Sequence, residues 1–452
     1  MKLFFNKIKS VIKAVWDYFW KLNFFRDLLF LQWGSFWDLG LSLMASVVYA
    51  HLLGVGTYGD YALIFALAAL IGLFMDWGTG YATLTLLAEA YTRKNRSEIK
   101  DIITYFLKLN LIITVTFGLV AIIFTPTLAG WFYHNPLIGQ LARLVIIGSI
   151  FKIFFSLLIN LLQVMRKIKY LTIIENVNKF FAVVLPVILV LMGFGLAGIV
   201  YGYLLTIIGS MVFSILVYRN FSRRNPLVPS FSEIIDNFFK VKIKKYFKFG
   251  FILAIDKNLS NLFGILPLIV LGYLAASTDV ANLKIALAYL ALPNGFLNPI
   301  SRLLQVQLPK AKVAGIKDLK VNFYKSSFYA GTIFIFLTLG FLFFAPFLIK
   351  LVYGKSFAAS AQLVYPLSLS VIFSGFAIGF GSIYRTINKN IFAIAINSAS
   401  ILSGFIVLFF ALKSLSPLNS VVLLIVYWSL FNLISHLLYI RGYFLKLSSQ
   451  KI

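Results

Sequence analysis

Apolar positions in this chain fall in long unbroken blocks. Neither the two-residue alternation of a half-buried strand nor the 3.6-residue stripe of a surface helix dominates. Blocks of about twenty residues, the length of helix that crosses a bilayer core, occupy 28–52, 60–86, 102–125, 138–164, 171–192, 196–218, 248–271, 281–305, 321–345, 358–384, 390–411 and 418–440. Each ends at a charge cluster or at a Gly, Pro or Asn turn, and the joins are short, so neighbouring helices run antiparallel. The pattern predicts an all-α polytopic membrane protein of about twelve transmembrane helices.

Composition strengthens that reading and removes competitors. Apolar residues make up 61% of the 452 positions and charged residues only 12%, against about 25% charged in soluble domains. A soluble enzyme, a nucleic-acid-binding domain and a disordered tail are excluded. The absence of cysteine rules out a disulfide framework, an iron–sulfur cluster and a thiolate zinc site. Histidines at 51, 134 and 436 are too scattered for a local metal motif.

The net charge of +27 is distributed topologically. Alternate segments (through Arg26, 93–100, 166–169, 219–248, 310–320, Arg385 with Lys389, and beyond 440) hold 30 of the 41 Lys and Arg residues. The opposite loops hold three: Lys350, Lys355 and Lys413. By the positive-inside rule both termini are cytosolic and the protein lies in the cytoplasmic membrane. The excess charge faces anionic membrane lipids rather than nucleic acid.

Residues 1–27 are not a cleavable signal, because lysines interrupt every potential apolar core. Apolar residues at 4, 5, 8, 11, 12, 15, 19 and 22 share a helical face opposite Lys2, Lys9, Lys13 and Lys21, which predicts an interfacial helix on the cytosolic leaflet. Lobes are expected at 28–218 and 248–441, joined by a basic cytosolic linker over 219–247 and followed by a tail over 442–452. The linker contains a capping-box spacing, Ser230 to Glu233.

A weak internal duplication runs through the chain at an offset of 217–220 residues. Asp38 precedes Leu53-Gly54 as Asp256 precedes Leu271-Gly272, with Ser42 matching Ser260 in the same frame. Ile99-Lys100-Asp101 matches Ile316-Lys317-Asp318, and Phe124-Thr125-Pro126 matches Phe344-Ala345-Pro346. Arg166 and Arg385 both close the fourth span of their halves. Six spans per half is an even number, so the repeats are parallel and predict two six-helix lobes around a central cavity.

Charges deep in spans are costly and mark cavities or partners. Asp38, its repeat mate Asp256, and Lys152 near the centre of span four are the main candidates, with Asp76, Lys179 and Lys257 beside them. Glu175 and Lys179 are spaced i, i+4 and are able to neutralise each other along one helix. Asp76 also fits a helix break beside Gly78. Asp256 and Lys257 point about 100° apart, so only one is expected to face a cavity squarely. Trp33 and Trp37 flank Asp38 and suit either sugar stacking or lipid-facing packing. Two GxGxxG strings, at 54–59 and 193–198, lie in tight turns between spans without a βαβ unit and are hairpins.

The stretch LGVGTYGDYALIFALAALIGLFMDWG at 53–78, with Gly54, the Tyr58-Gly59-Asp60-Tyr61 turn and the Asp76-Trp77-Gly78 end of span two, resembles polysaccharide flippases of the O-antigen (Wzx) type. These belong to the multidrug/oligosaccharidyl-lipid/polysaccharide (MOP) exporter superfamily. The second-half counterpart at 271–296 is a looser match. The resemblance implies a MATE-like fold and alternating-access translocation of a polyprenyl-diphosphate-linked oligosaccharide to the outer leaflet, without a cofactor. It also implies a place in surface polysaccharide biosynthesis beside polysaccharide polymerases or glycosyltransferases. Lys152, Lys179 and Lys257 would then meet the diphosphate, Trp33 and Trp37 the sugar. Asp38, Asp256 and Asp76 would serve sugar hydrogen bonding or coupling to Na⁺ or H⁺. Seven deep charges, three of them cationic, leave open a MATE-type exporter of cationic drugs. A membrane-embedded polymerase or ligase is the third reading, disfavoured by short external loops.

Overall fold

In lipid the peptide groups of an apolar block have only one another as partners, so each block closes its own i→i−4 hydrogen bonds. The computed structural model describes residues 23–75, 77–295 and 297–449, and all regular structure among them is helical. The expected interfacial helix at 1–27 falls almost wholly outside the described residues, as does Asp76.

The helices are α1 (Asn23–Met75), α2 (Thr79–Thr92), α3 (Arg96–Tyr133), α4 (Pro136–Val164), α5 (Ile168–Leu189), α6 (Gly195–Arg224), α7 (Phe231–Asn237), α8 (Lys244–Leu274), α9 (Ser277–Asn294), α10 (Leu297–Ala314), α11 (Ile316–Tyr353), α12 (Ala358–Phe376), α13 (Phe380–Thr386), α14 (Asn390–Ala411) and α15 (Pro417–Ser449). Local chemistry sets several starts. The Asn95 side chain accepts from Glu98 N at 3.1 Å to cap α3. Asn135 caps α4 by accepting from Leu137 N at 3.1 Å, with Pro136 in the first turn.

Among the described residues, nine helical stretches are long and apolar enough to cross a membrane. Two are far longer than one crossing, Trp33–Met75 with 43 residues and Ile168–Arg224 with 57. Both are broken at left-handed glycines: Gly54 (φ 72°) in α1, and Gly193 (φ 91°) and Gly195 (φ 52°) at the π-helical turn Val190–Phe194. Side chains rarely tolerate that backbone, so glycine there lets two spans join with almost no loop. Both GxGxxG strings are thus hairpin turns. Counting α9 and α10 as one interrupted helix, the architecture is consistent with twelve crossings in a multi-pass membrane protein.

The duplication is visible in the helices themselves. α3 and α11 are each 38 residues long and each carries an internal proline, Pro126 and Pro346. α5 and α14 are each 22 residues long. The second helix of the first half breaks between Met75 and Thr79, and its mate in the second half between Asn294 and Leu297. Ser42 Oγ donates to Asp38 O at 2.8 Å, and Ser260 Oγ to Asp256 O at 2.9 Å. α1–α6 form one lobe and α8–α15 the other. The linker helix α7 is docked on α3 through an Arg96–Glu233 ion pair at 2.7 Å and an Asn237 Nδ2 to Asp101 Oδ1 bond at 2.9 Å.

The lobes meet tightly at the end that carries few cations. One apolar core is continuous across both lobes there, running from Leu41 through Leu67 to Leu268, Ala286 and Val364. Ser277 Oγ donates to Asp60 Oδ1 at 2.6 Å, and the two residues are 217 positions apart. Ser46 Oγ bonds Tyr58 OH at 2.7 Å and Tyr353 OH at 3.1 Å. At the basic end the core divides. One cluster around Leu87, Ile103 and Leu157 belongs mainly to the first lobe and the linker. Another around Leu308, Phe323 and Ile383 belongs to the second.

Candidate functional site: a polar cavity between the lobes

Where the core divides, a cavity of about 980 Å³ opens between the lobes. The second lobe supplies Asp256, Lys257, Ser260 and Asn261 from α8, Gln305 from α10, Tyr384 and Arg385 from α13, Asn390 and Asn397 from α14, and His436 from α15. The first lobe supplies Thr85, Gln163 and Glu175 with the apolar Ile168 and Leu171. Each position sits within a few turns of the basic end of its helix. The cavity is therefore open toward the Lys/Arg-rich side and stops below the sealed seam.

Three kinds of chemistry converge. Two cations, Lys257 and Arg385, stand with two carboxylates, Glu175 and Asp256. The Arg385 charge lies within electrostatic reach of Asp256, and its Nε donates to Gly381 O at 3.0 Å, which holds the guanidinium along α13. Five carboxamides and several hydroxyls offer paired donors and acceptors. His436 Nδ1 and Tyr384 OH are hydrogen-bonded at 3.0 Å, and Tyr384 in turn stacks on Tyr439 at 5.6 Å. No group of His, Asp and Glu able to hold a metal occurs among the described residues.

The sequence-derived candidates separate into two groups. Asp256 and Lys257 both line the cavity, although helix geometry favoured only one of them; the cavity is wide enough for α8 to present both. Asp38 and Lys179 do not line it. They form an ion pair at 3.1 Å between α1 and α5, so the partner of Lys179 comes from the facing helix, while Glu175 faces the cavity. The contact is close because Gly34, one turn from Asp38, leaves no room for a side chain against Thr172. Lys152 is exposed on α4, on the same face as Gln163 and about three turns further in, beyond the cavity lining. Trp33 and Trp37 are exposed on α1 and are not among the lining residues.

Trp77 and Gly78 of the Asp76-Trp77-Gly78 motif lie just before the start of α2. Gly78 (φ 70°) packs directly on the Gly250 carbonyl of α8, and the Trp77 ring meets Phe247 at 5.7 Å and Phe251 at 5.5 Å. The carboxamides and His436 were missed from sequence. Neutral polar residues hardly dent an apolar block, and only their common orientation reveals them. Arg385 carried one signal, its match to Arg166 at the end of a fourth span.

Two six-helix lobes sealed at one end around a polar cavity open at the other form a fold that this chain shares with solved MATE and MurJ membrane proteins. Solved structures with this fold include an inward-facing multidrug resistance MATE transporter (TM-score 0.73, 16% identity, 92% of this chain and 96% of that one). An outward-facing MATE transporter gives 0.65 at 15% identity, over 94% and 96%. The lipid II flippase MurJ in an inward closed conformation gives 0.69 at 17% identity, over 93% and 90%. No curated protein matches the sequence. A family model described as polysaccharide biosynthesis protein matches residues 25–304, and the chain belongs to that family.

Proposed function

We propose that the protein is a flippase that moves a polyprenyl-diphosphate-linked oligosaccharide from the cytosolic to the outer leaflet of the cytoplasmic membrane, with both termini cytosolic. The observation that carries this reading is the cavity lining: five carboxamides and the hydroxyls of Thr85, Ser260 and Tyr384 beside Lys257 and Arg385. Sugars present alternating donors and acceptors that carboxamides match in pairs, and a diphosphate in a low-dielectric site needs cations to replace its hydration. Lys257 and Arg385 take the diphosphate, while the carboxamides and Ser260 take the sugar. Lys152, further along the Gln163 face, receives the anion as it advances. Asp256 serves sugar hydrogen bonding or coupling to Na⁺ or H⁺. The polyprenyl chain stays in lipid, and the lobes rock about the seam to expose the cavity alternately to each side. Membership of the polysaccharide biosynthesis family supports a glycan cargo, with polymerases or glycosyltransferases as functional neighbours.

A second reading has its own observation. Glu175 and Asp256 in an open cavity suit a lipophilic cation, and the fold is shared with multidrug exporters. Purified protein in liposomes separates the two. Movement of a polyprenyl-diphosphate oligosaccharide without movement of a drug cation is the expected result. Gradient-driven drug movement with a static glycolipid would establish the second reading instead.

A further inference from the structure

A second cavity, of about 530 Å³, lies at the basic end of the first lobe, away from the inter-lobe space. It is bounded by the turn between α4 and α5, which contributes Lys167 and Tyr170, and by the end of α6, which contributes Asn220, Phe221 and Arg224. The Lys167 ammonium sits 4.4 Å from the centre of the Phe221 ring, which holds the charge at the cavity rather than in bulk water. Arg166, Lys169, Arg219 and Arg223 surround these cations in sequence, and neither 160–174 nor 213–229 contains an Asp or Glu. Lys167 also precedes the first residue of α5, whose amide dipoles favour an anion at the same place.

Below this charged mouth the surface is apolar. Tyr170, Ile173, Val177 and Phe180 are exposed along one face of α5. α5 and α6 run antiparallel from the Val190–Phe194 turn, so the exposed Phe213 and Leu216 of α6 lie at about the depth of Ile173 and Tyr170. Two cations over a strip of lipid-facing side chains match a phosphate headgroup with acyl chains beneath it. Free phosphate would use the mouth alone and leave the strip without a role. Basic pockets between spans on the cytosolic side are suited to anionic headgroups.

We propose that the pocket formed by Lys167, Tyr170, Phe221 and Arg224 binds the headgroup of an anionic phospholipid, with its acyl chains along α5 and α6. The occupied site ties the α4–α5 turn to the end of α6 and steadies the first lobe at the membrane surface. It is separate from the cargo cavity and does not rest on the flippase reading.

The test uses full-length protein purified with phosphatidylglycerol and examined by native mass spectrometry during graded delipidation. One to a few phosphatidylglycerol molecules should be retained, with apparent affinity reduced tenfold or more in K167A/R224A and retained in K167R/R224K. A control at another basic stretch, K317A/K320A, should keep wild-type retention, and phosphatidylcholine should be lost equally from all four proteins. Equal retention in K167A/R224A would overturn the proposal. So would displacement of the lipid by millimolar inorganic phosphate, which would make the site a soluble-anion site. Displacement by polyprenyl monophosphate at concentrations where phosphatidylglycerol fails to compete would reassign the pocket to the cargo lipid and also overturn it. If K167A/R224A does not purify, loss of retention in the single variants K167A and R224A carries the same test.

Discussion

Ser277 donates to Asp60 at 2.6 Å and packs on Gly59, its repeat mate in the frame that pairs Leu53-Gly54 with Leu271-Gly272. Two repeat-related residues touch only where the axis relating the halves passes between them. The Gly59–Ser277 contact therefore places the pseudo-two-fold axis at the sealed end, with the seam built around it. Gly59 belongs to the same contact, its α-carbon packed on the Ser277 carbonyl with no room for a β-carbon.

A crosslink at this point should lock the seam. The chain has no cysteine, so D60C/S277C provides a clean pair. Oxidation is expected to join the lobes and arrest transport in liposomes, and reductant to restore it. Failure of the disulfide to form in detergent would show that the seam is not closed in the resting protein.

Gly59→Ala places a methyl group against backbone that cannot move aside. Overpacking of this kind costs about 1–3 kcal/mol, a factor of about five to 150 against the sealed conformer. Labelling of a single cysteine at Ser46, whose hydroxyl is held between Tyr58 and Tyr353, should accelerate by a comparable factor. An unchanged labelling rate would show that the close approach of Gly59 to Ser277 is not required for closure.

The Asp38–Lys179 pair is expected to be structural. Its side chains are 54% and 34% exposed, so screening limits each single neutralisation to about 1 kcal/mol or less. D38N and K179M should lower thermal stability slightly, and the exchange D38K/K179D should recover part of the loss. Full transport inactivation by both single variants at wild-type stability would instead give the pair a role in the transport cycle.

Lys257→Ala and Arg385→Ala should each reduce glycolipid movement by about ten- to a hundredfold, the range of a charge-assisted hydrogen bond of 1.5–3 kcal/mol. Asn397→Ala and Gln305→Ala remove neutral hydrogen bonds and should cost several-fold at most. Elution profile and thermal stability should stay near wild type in all four. Equal losses across the four would speak against separate diphosphate and sugar contacts.

The linker is expected to respond to pH. Glu233 Oε2 accepts from Ser230 N at 2.7 Å to complete the capping box, and this bond, helped by the nearby Arg96, holds the Glu233 carboxyl below the usual carboxylate range. A carboxyl lowered on folding contributes stability above its unfolded value, lost as pH falls through its folded value. Protection factors over 230–237, corrected for the intrinsic exchange rate, should therefore fall as the solution is taken below the ordinary carboxylate range, and E233A, which has no acceptor for Ser230 N, should show low protection at every pH. A pH-independent profile in the parent protein would disconnect docking from Glu233.

Much of the fold was legible because its determinants are local. Twenty apolar residues make a span regardless of their neighbours, a left-handed glycine between two blocks makes a hairpin, and Ser230 with Glu233 caps a helix. The repeat was also legible, since Asp38 and Asp256 keep the same spacing to a serine and to a Leu-Gly pair in both halves. The site was legible only where it carried charge. Asp256 and Lys257 stand out in an apolar block, but Gln163, Gln305 and Asn397 gain meaning only once their helices are rotated toward one space. The Asp38–Lys179 pair joins residues 141 positions apart, whereas sequence spacing points to the nearer Glu175.

The repeated aspartates have parted company. In the first lobe Asp38 is answered by a lysine from its own lobe, while in the second Asp256 looks into the cavity beside Lys257 and Arg385. Four of the five carboxamides and both cavity cations also come from the second lobe. A symmetric scaffold thus holds an asymmetric berth: one half acts as the hull, and the other carries nearly all the fittings that the proposed cargo would meet. Changes in the first lobe should register mainly as lost stability, and changes in the second as lost grip.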